Sequence, residues 1–320
     1  MTGATGFIGR HLVRRVQSEG AAVVALVRAI PPAASREPGV EYVVRDLERV
    51  DTLRDVFRED DVIVHAAARA HIMRDTDPDG EAAYRRANLD PTRMLCRSAV
   101  ESGARRVVFM SSAKVFGEGR ERPYQRTESP LPADAYARSK LEAEQVLREM
   151  GRPGGVEWTI VRPPFVYGPG GKGNFPRLVS LARIASLLPL PLASIANRRS
   201  ILFVGNLVDA MVRCALHADA AGQILLPTDA HDISTPDLLR SMAKVRATRA
   251  LLIPFPVGLL RSGAAIVGRA AEIERLTESL RLDSQHLREQ WGWQPPVNLE
   301  EALRQSMSAT PHSANAASHV

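Results

Sequence analysis

The chain has 320 residues, 45% hydrophobic and 24% charged, with a formal net charge of +6. That balance is ordinary for a globular protein with a sizeable core, and the length suits one large α/β unit or a larger domain with a smaller partner. The positive charge is almost wholly arginine, scattered on helical faces among Glu and Asp, as from Glu142 to Arg148; this excludes a clustered nucleic-acid stripe and reads as a solvated surface.

Thr2-Gly3-Ala4-Thr5-Gly6-Phe7-Ile8-Gly9 places its glycines as G-x-x-G-x-x-G, and a helical pattern follows over 10–16. Glycines let the backbone turn sharply and approach a pyrophosphate, whose charge meets the free N–H groups of a helix start. This is the dinucleotide fingerprint with one extra residue between its first two glycines; a plain Gly-rich turn is the alternative. The strand expected ahead of it is missing, since only Met1 precedes it. We therefore expect a misassigned or truncated start and a poorly soluble chain.

Residues 22–27 form an apolar run suited to a buried parallel strand, ending at Arg28. An acid there bonds the adenosine ribose in NAD binders; an arginine suits the 2′-phosphate of NADP or simply faces solvent. The strand over 40–47 ends in Asp46, which either accepts from an adenine amino group or caps the helix near Asp51. The strand over 61–68 ends in Ala66, Ala67 and Ala68, small enough for a flat ligand to press against the backbone. His65 reads as a packed strand-end histidine rather than a catalytic one. In the helix over 81–102, Asn88 is unfavourable unless it tethers a neighbouring backbone.

The strand over 106–110 delivers Ser111 and Ser112 to the carboxyl edge of the sheet, where ligands of open α/β sheets bind. A loop over 117–135 is expected to cover the site. Tyr136-Ala137-Arg138-Ser139-Lys140 opens a helix to about residue 150, with Tyr136 and Lys140 on one face. A sixth strand, 158–162, stops at Pro163-Pro164. Beyond Gly168 the alternation fades into a loop to Asn174, helices over 175–186, 205–218, 234–244 and 299–307, and a short strand over 198–203. Ser234 or Thr235 caps the third of these helices, with Pro236 in its first turn. Residues 310–320 are expected to be disordered.

Cys96 and Cys214 are isolated, so reduced core thiols are expected and no metal site. The most apolar segment, 251–267, is broken by Pro254, Pro256 and Arg261 and is too interrupted to span a bilayer. Resting on a membrane surface is the one membrane role left to it. With no signal peptide, a cytoplasmic enzyme is expected.

Ser112, Tyr136 and Lys140 form the constellation with chemistry. A phenol loses its proton near pH 10, and a nearby ammonium favours the phenolate. Lys140 could lower Tyr136 in this way while bonding the nicotinamide ribose. Ser112 would hold the oxygen that Tyr136 protonates or deprotonates. Hydride chemistry belongs to the nicotinamide.

These motifs together resemble the extended short-chain dehydrogenases, the nucleotide-sugar epimerase/dehydratase group: TGATGFIG at 2–9, HAAA at 65–68, SSAKVFG at 111–117, YARSK at 136–140 and RPPFVYGPG at 162–170. The resemblance implies a doubly wound parallel sheet (Rossmann) over 1–167, rejoined by segments at about 198–230. A smaller, mostly helical substrate domain over 168–309 would complete it. It makes Ser112, Tyr136 and Lys140 catalytic. The dinucleotide, NAD(H) or NADP(H), would meet Gly3, Thr5, Gly6, Phe7, Ile8, Gly9, Arg28, Asp46, Leu47, the three alanines, Ser111, Tyr136, Lys140 and Pro163.

The second half resembles bacterial UDP-N-acetylhexosamine 4-reductases and 4-epimerases in GKGNF at 171–175, NRRS at 197–200, STPDLLR at 234–240 and WGWQPPVNLEEALR at 291–304. By that resemblance Asn174 and Ser112 touch a UDP-sugar and Arg199 binds its diphosphate, a surface ion pair being the alternative for Arg199. A homodimer is expected. The leading expectation is reduction of the C4 ketone of a UDP-4-keto-6-deoxy-N-acetylhexosamine. A UDP-glucose or UDP-N-acetylglucosamine 4-epimerase is the alternative, and a catalytically silent dinucleotide-binding protein the third reading.

Overall fold

The computed structural model describes residues 1–69, 80–151, 155–171, 173–266 and 268–308. The tail expected to be disordered lies outside the described residues. Helix α1 (Phe7–Ser18) leads to strands β1 (Val23–Val27), β2 (Val40–Val44) and β3 (Val62–His65). Helices α2 (Gly80–Tyr84) and α3 (Asp90–Glu101) are joined by a π-helical turn over Arg85–Leu89. Strand β4 (Arg106–Met110), helix α4 (Ala135–Met150) and strand β5 (Glu157–Val161) follow.

The second half adds β6 (Phe165–Tyr167), α5 (Asn174–Ala185), β7 (Ile201–Phe203), α6 (Val204–Leu216) and β8 (Gln223–Leu225). It closes with α7 (Thr235–Val245), α8 (Val257–Ile266), α9 (Ala270–Thr277), α10 (Gln285–Trp291) and α11 (Leu299–Ser308). Ser234 caps α7 by accepting from the Asp237 N–H at 3.1 Å, as its position before Thr235-Pro236 implies.

Every pairing between these strands is parallel: β2 with β1, β3 with β4, β4 with β5, β5 with β8, and separately β6 with β7. Between β1 and β3, where a doubly wound sheet has its central strand, stand Met1 and Thr2. Thr2 bridges both Leu26 and His65, its N–H donates to Val64 O at 3.0 Å, and the Leu26 N–H donates to Met1 O at 2.8 Å. The two halves of the sheet are thus held in register by a stub of strand.

Successive residues of β4 face opposite sides and all five are buried, the pattern of a strand covered on both faces. Val108 joins a core cluster with Leu12, Val161 and Leu207, so α1 and α6 cover one face, and Leu239 of α7 and Leu303 of α11 extend the same cluster. Phe109 joins Ile63, Leu95, Leu147 and Ile160 under α3 and α4 on the other. That is the expected doubly wound arrangement.

Two buried charges brace α6. Arg106 donates to Cys214 O at 2.8 Å and His217 O at 2.7 Å, closing the helix's orphan carbonyls with a cation. At the opposite end Asp229 accepts from the Phe203 N–H at 3.1 Å, the Asn206 amide at 2.7 Å and the Tyr167 hydroxyl at 2.9 Å.

Candidate active site

The glycine-rich segment crosses the carboxyl ends of β1 and β3 before α1 begins. Gly3 has φ +71°, and a Cβ there would lie 2.7 Å from the backbone of Ala66 and Ala67. A Cβ on Gly9 would lie 2.0 Å from Gly3 O, so the turn closes only with glycine at both positions. Gly6 caps α1 with no side-chain bond, which leaves the first N–H groups, those of Phe7, Ile8 and Gly9, without a capping side chain. Those donors fit a dinucleotide pyrophosphate. The 168–171 loop after β6 packs on this helix start: His11 Nε2 is 3.0 Å from Pro169 O, and the Phe7 ring would touch a Cβ on Gly171 at 3.4 Å.

The three alanines follow β3, and the Ala67 N–H donates to Thr2 Oγ1 at 3.1 Å. His65 is the packed histidine expected from its place at a strand end. Its ring nitrogens lie 2.7 Å from Thr2 Oγ1 and 3.0 Å from Thr92 Oγ1, and burial lowers its pKa to about 3. Asn88 does tether backbone: it accepts from the Arg69 N–H at 2.7 Å and donates to Arg69 O at 3.2 Å. Its amide also reaches Ser139 Oγ at 2.9 Å, so the π-helical turn ties the β3 edge to α4.

Ser112 and Tyr136 come together. Their side chains are hydrogen-bonded, and this pulls against the burial that raises Tyr136 to about 12. Asp134 fixes the start of α4, accepting from the Ala137 N–H at 2.7 Å and from Lys114 Nζ at 3.0 Å, which locks the segment after Ser112 onto the helix carrying Tyr136. Lys140, one turn on, is buried and lowered to about 7 by desolvation, with Glu144 opposing. Here the arrangement differs from the sequence expectation. The Lys140 ammonium rests 4.0 Å from the centroid of the Phe109 ring, and the groups that shift Tyr136 are burial, Ser112, Asp134 and Tyr84.

Beneath this face lies a network that sequence reading misplaced. The stretch from Glu142 to Arg148 reads as a solvated surface, yet Glu144 is wholly buried. It accepts from Arg162 Nε at 2.9 Å and Nη2 at 2.6 Å, and also from the Ser111 hydroxyl. Ser111, expected near the nicotinamide, thus turns its hydroxyl into the core. The available signal was spacing, because Tyr136, Lys140 and Glu144 recur at four-residue intervals on one helical face.

The other expected positions are spread around the sheet edge. Arg28 is exposed at the end of β1, beside β2, where the Arg45 N–H donates to Val27 O at 2.8 Å. Asp46 accepts from the Glu48 N–H at 3.2 Å and pairs with Arg49 at 3.3 Å, so it caps its own turn rather than the stretch near Asp51, while Leu47 packs on the core. Pro163 accepts from the Ala113 N–H at 2.9 Å. Asn174 starts α5.

Arg199 sits in a carboxylate-rich corner. It donates to Arg275 O at 2.9 Å and lies 3.6 Å from Glu118. Burial, with Glu118 and Glu274 alongside, raises the neighbouring Glu278 to about 7. Among the described residues no group of three His, Cys, Asp or Glu side chains could hold a metal ion.

The sequence pattern of the NAD dependent epimerase/dehydratase family matches residues 1–225. The chain belongs to that family. This epimerase/dehydratase is 35% identical over 312 residues, 97% of its length and 94% of the relative's, to a UDP-glucose 4-epimerase of Vibrio cholerae. It is 27% identical over 268 residues to an N-acetyl-α-D-glucosaminyl-diphospho-ditrans,octacis-undecaprenol 4-epimerase of Escherichia coli O157:H7, covering 81% of the chain and 76% of that relative. Among solved structures, MoeE5 in complex with UDP-glucose and NAD matches with a TM-score of 0.75 at 25% identity over 96% of each chain. The epimerase/dehydratase fold and the dinucleotide cradle of this chain therefore agree.

Proposed function

We propose that this chain is a UDP-hexose 4-epimerase. The observation that carries the choice is the 35% identity to a UDP-glucose 4-epimerase over 97% of the chain. The bonded Ser112–Tyr136 pair at the sheet's carboxyl edge supplies the acid–base apparatus such a reaction needs.

A nicotinamide dinucleotide in the cradle would supply hydride acceptance and return at C4. The chain's own residues handle the proton and the sugar's position. The Tyr136 oxygen takes the proton of the C4 hydroxyl and gives it back once the ketone has presented its other face. Ser112 holds the same oxygen in place. Lys140, one turn further along α4, would in its ammonium form balance a phenolate. Asn174 and Arg199 would hold the nucleotide end, with Arg199 exchanging Glu118 for a phosphate oxygen.

A second reading is reduction of the C4 ketone of a UDP-4-keto-6-deoxy-N-acetylhexosamine. One observation favours it: Arg28 is exposed at the end of β1, and an arginine rather than an acid there suits a 2′-phosphate. An enzyme that spends one dinucleotide per turnover must release it, whereas an epimerase gains by keeping it.

Incubation with UDP-glucose, without added dinucleotide, separates these readings. Appearance of UDP-galactose and release of NAD on denaturation support the epimerase. Failure of interconversion, with oxidation of added NADPH by the 4-keto sugar nucleotide, would select the reductase. Neither activity would leave only a dinucleotide-binding protein.

A further inference from the structure

Helix α8 (Val257–Ile266) has one charged residue, Arg261, and otherwise Val, Gly, Leu, Ser, Ala and Ile, yet Ala264 is its one buried residue among those described. Val257 and Leu260 lean on the core, which turns Leu259 and Ile266 outward at 62% and 86% exposure. The strap before α8 carries a second group of exposed apolar side chains. Leu190 N–H donates to Leu251 O, Ile253 N–H to Leu190 O, and Phe255 N–H to Ser194 Oγ, each at 2.9–3.0 Å. This ladder seats Ile253 and Phe255 beside the end of α5, where Leu187 and Leu188 are 79% and 61% exposed. Monomeric proteins rarely leave so many large apolar side chains together in water.

Basic residues dominate these two segments: Leu238 to Ala271 carries six and no acid, of which Arg240 and Lys244 pair with Asp237 and Glu300, and Phe175 to Val208 carries four arginines and no acid, of which Arg199 faces Glu118. Arg246, Arg249, Arg261 and Arg269 are all exposed. Arg261 donates to Thr277 Oγ1 at 2.9 Å, which leaves its charge uncompensated, and no ion pair with a described residue engages the other three. Elsewhere arginines meet carboxylates, as Arg14 meets Glu37 and Arg138 meets Glu81. The acids that flank the segment are Asp237, paired with Arg240, and Glu272 and Glu274 of α9, of which Glu274 already serves the Glu118–Glu278 corner.

We propose that this face seats the protein on an anionic phospholipid surface. Leu187, Leu188, Leu259 and Ile266 enter the headgroup–acyl boundary, and the surrounding arginines lie among the phosphates. Attachment is peripheral, since no helix of the described residues is long and apolar enough to cross a membrane. A second copy of the chain fits less well: a two-fold contact would set the same unpaired arginines against each other. Asn174 begins the helix whose far end carries this face, so the candidate substrate residue stands about 17 Å away along α5.

The test is sedimentation of the full chain with sucrose-loaded vesicles of phosphatidylcholine alone, or of two parts phosphatidylcholine to one part phosphatidylglycerol. The expected result is at least about tenfold more binding to the mixed vesicles, lost at high salt. Leu259→Asp with Ile266→Asp should lower it about tenfold at an unchanged melting temperature, because both side chains are already in water. Arg246→Glu with Arg249→Glu should remove the preference for the mixed vesicles. Equal binding to both vesicle types, or none to either, would overturn the proposal. So would a dimer that the Leu259/Ile266 variant converts to a monomer. The readout is binding, so it stands or falls separately from the proposed epimerase activity.

Discussion

Glu144 and Arg162 are joined by two hydrogen bonds, at 2.9 and 2.6 Å, with 0% and 1% of their side chains exposed. The guanidinium also lies 4.7 Å from the centroid of the Phe116 ring, and the same carboxylate takes the Ser111 hydroxyl. One residue of α4 therefore anchors the ends of β4 and β5 and supports the Lys140 ammonium one turn before it. Glu144→Gln leaves a buried cation uncompensated and should cost about 3–5 kcal/mol. It should also lower Lys140 further, moving the alkaline limb of kcat/KM to lower pH if the ammonium is the working form. A variant with an unmoved pH profile would make Glu144 a purely structural residue.

Tyr136→Phe removes the proton carrier while keeping the ring against Tyr84, 6.1 Å away between centroids. Turnover should fall by about 10²–10⁴, the range expected for losing a positioned acid–base group. Dinucleotide binding, followed by fluorescence, should hardly change. Ser112→Ala should also lower turnover, and the double variant should lose less than the product of the two, because both act on one oxygen. Multiplicative losses would separate their roles.

Arg28→Asp tests the adenosine end. If the exposed arginine meets a 2′-phosphate, the change should weaken NADP(H) by about 2 kcal/mol, since a charge-assisted contact is replaced by repulsion, and leave NAD(H) within a factor of a few. Titration of both dinucleotides against both proteins reads this directly. Equal affinities throughout would make Arg28 a solvent-facing residue.

Much of this arrangement is legible in the sequence because each signal is local. Apolar runs mark buried parallel strands, the glycines mark a turn that other residues cannot make, and the Tyr136–Lys140 spacing marks a helical face. The role of Asn88 follows from its misfit inside a helix. What escapes is whatever depends on burial of charge. Glu144, Arg162, Arg106 and Asp229 resemble surface residues in composition, and only tertiary packing withdraws them from water. The lowered Lys140 and raised Tyr136 have the same origin. The short strands at Phe165–Tyr167 and Gln223–Leu225 escape too, because three residues carry no periodicity.

Gly9 and Gly6 should respond very differently to alanine. At Gly9 the added carbon would stand 2.0 Å from Gly3 O, a backbone atom that no side-chain rotation can move. The turn must open, at a cost of about 1–3 kcal/mol or more, and dinucleotide affinity should fall with it. At Gly6 the nearest atom is the same carbonyl at 3.1 Å, so a shift of a few tenths of an ångström suffices. Gly6→Ala should cost under about 1 kcal/mol. Thermal melts with and without NAD compare the two, and similar losses would show that the Gly3–Gly9 contact does not set the turn.

Lys140 gives the stability of the fold a pH dependence with a definite sign. Its folded pKa is lowered to about 7 from an unfolded value of 10.5. Below about pH 7 both states carry the proton, and the full penalty of a buried ammonium is present. Between about 7 and 10.5 the unfolded chain holds a proton that the folded chain has lost, so stability rises with pH. Tyr136, raised to about 12, acts oppositely but only above its unfolded value of 10.0. Lys140→Met should therefore be more stable than the parent near pH 6, by at most about 5 kcal/mol, and the gap should close as pH approaches about 10. Melting temperatures of both proteins over that range measure it. Parallel curves would mean that Lys140 keeps its proton in the folded chain as it does in water.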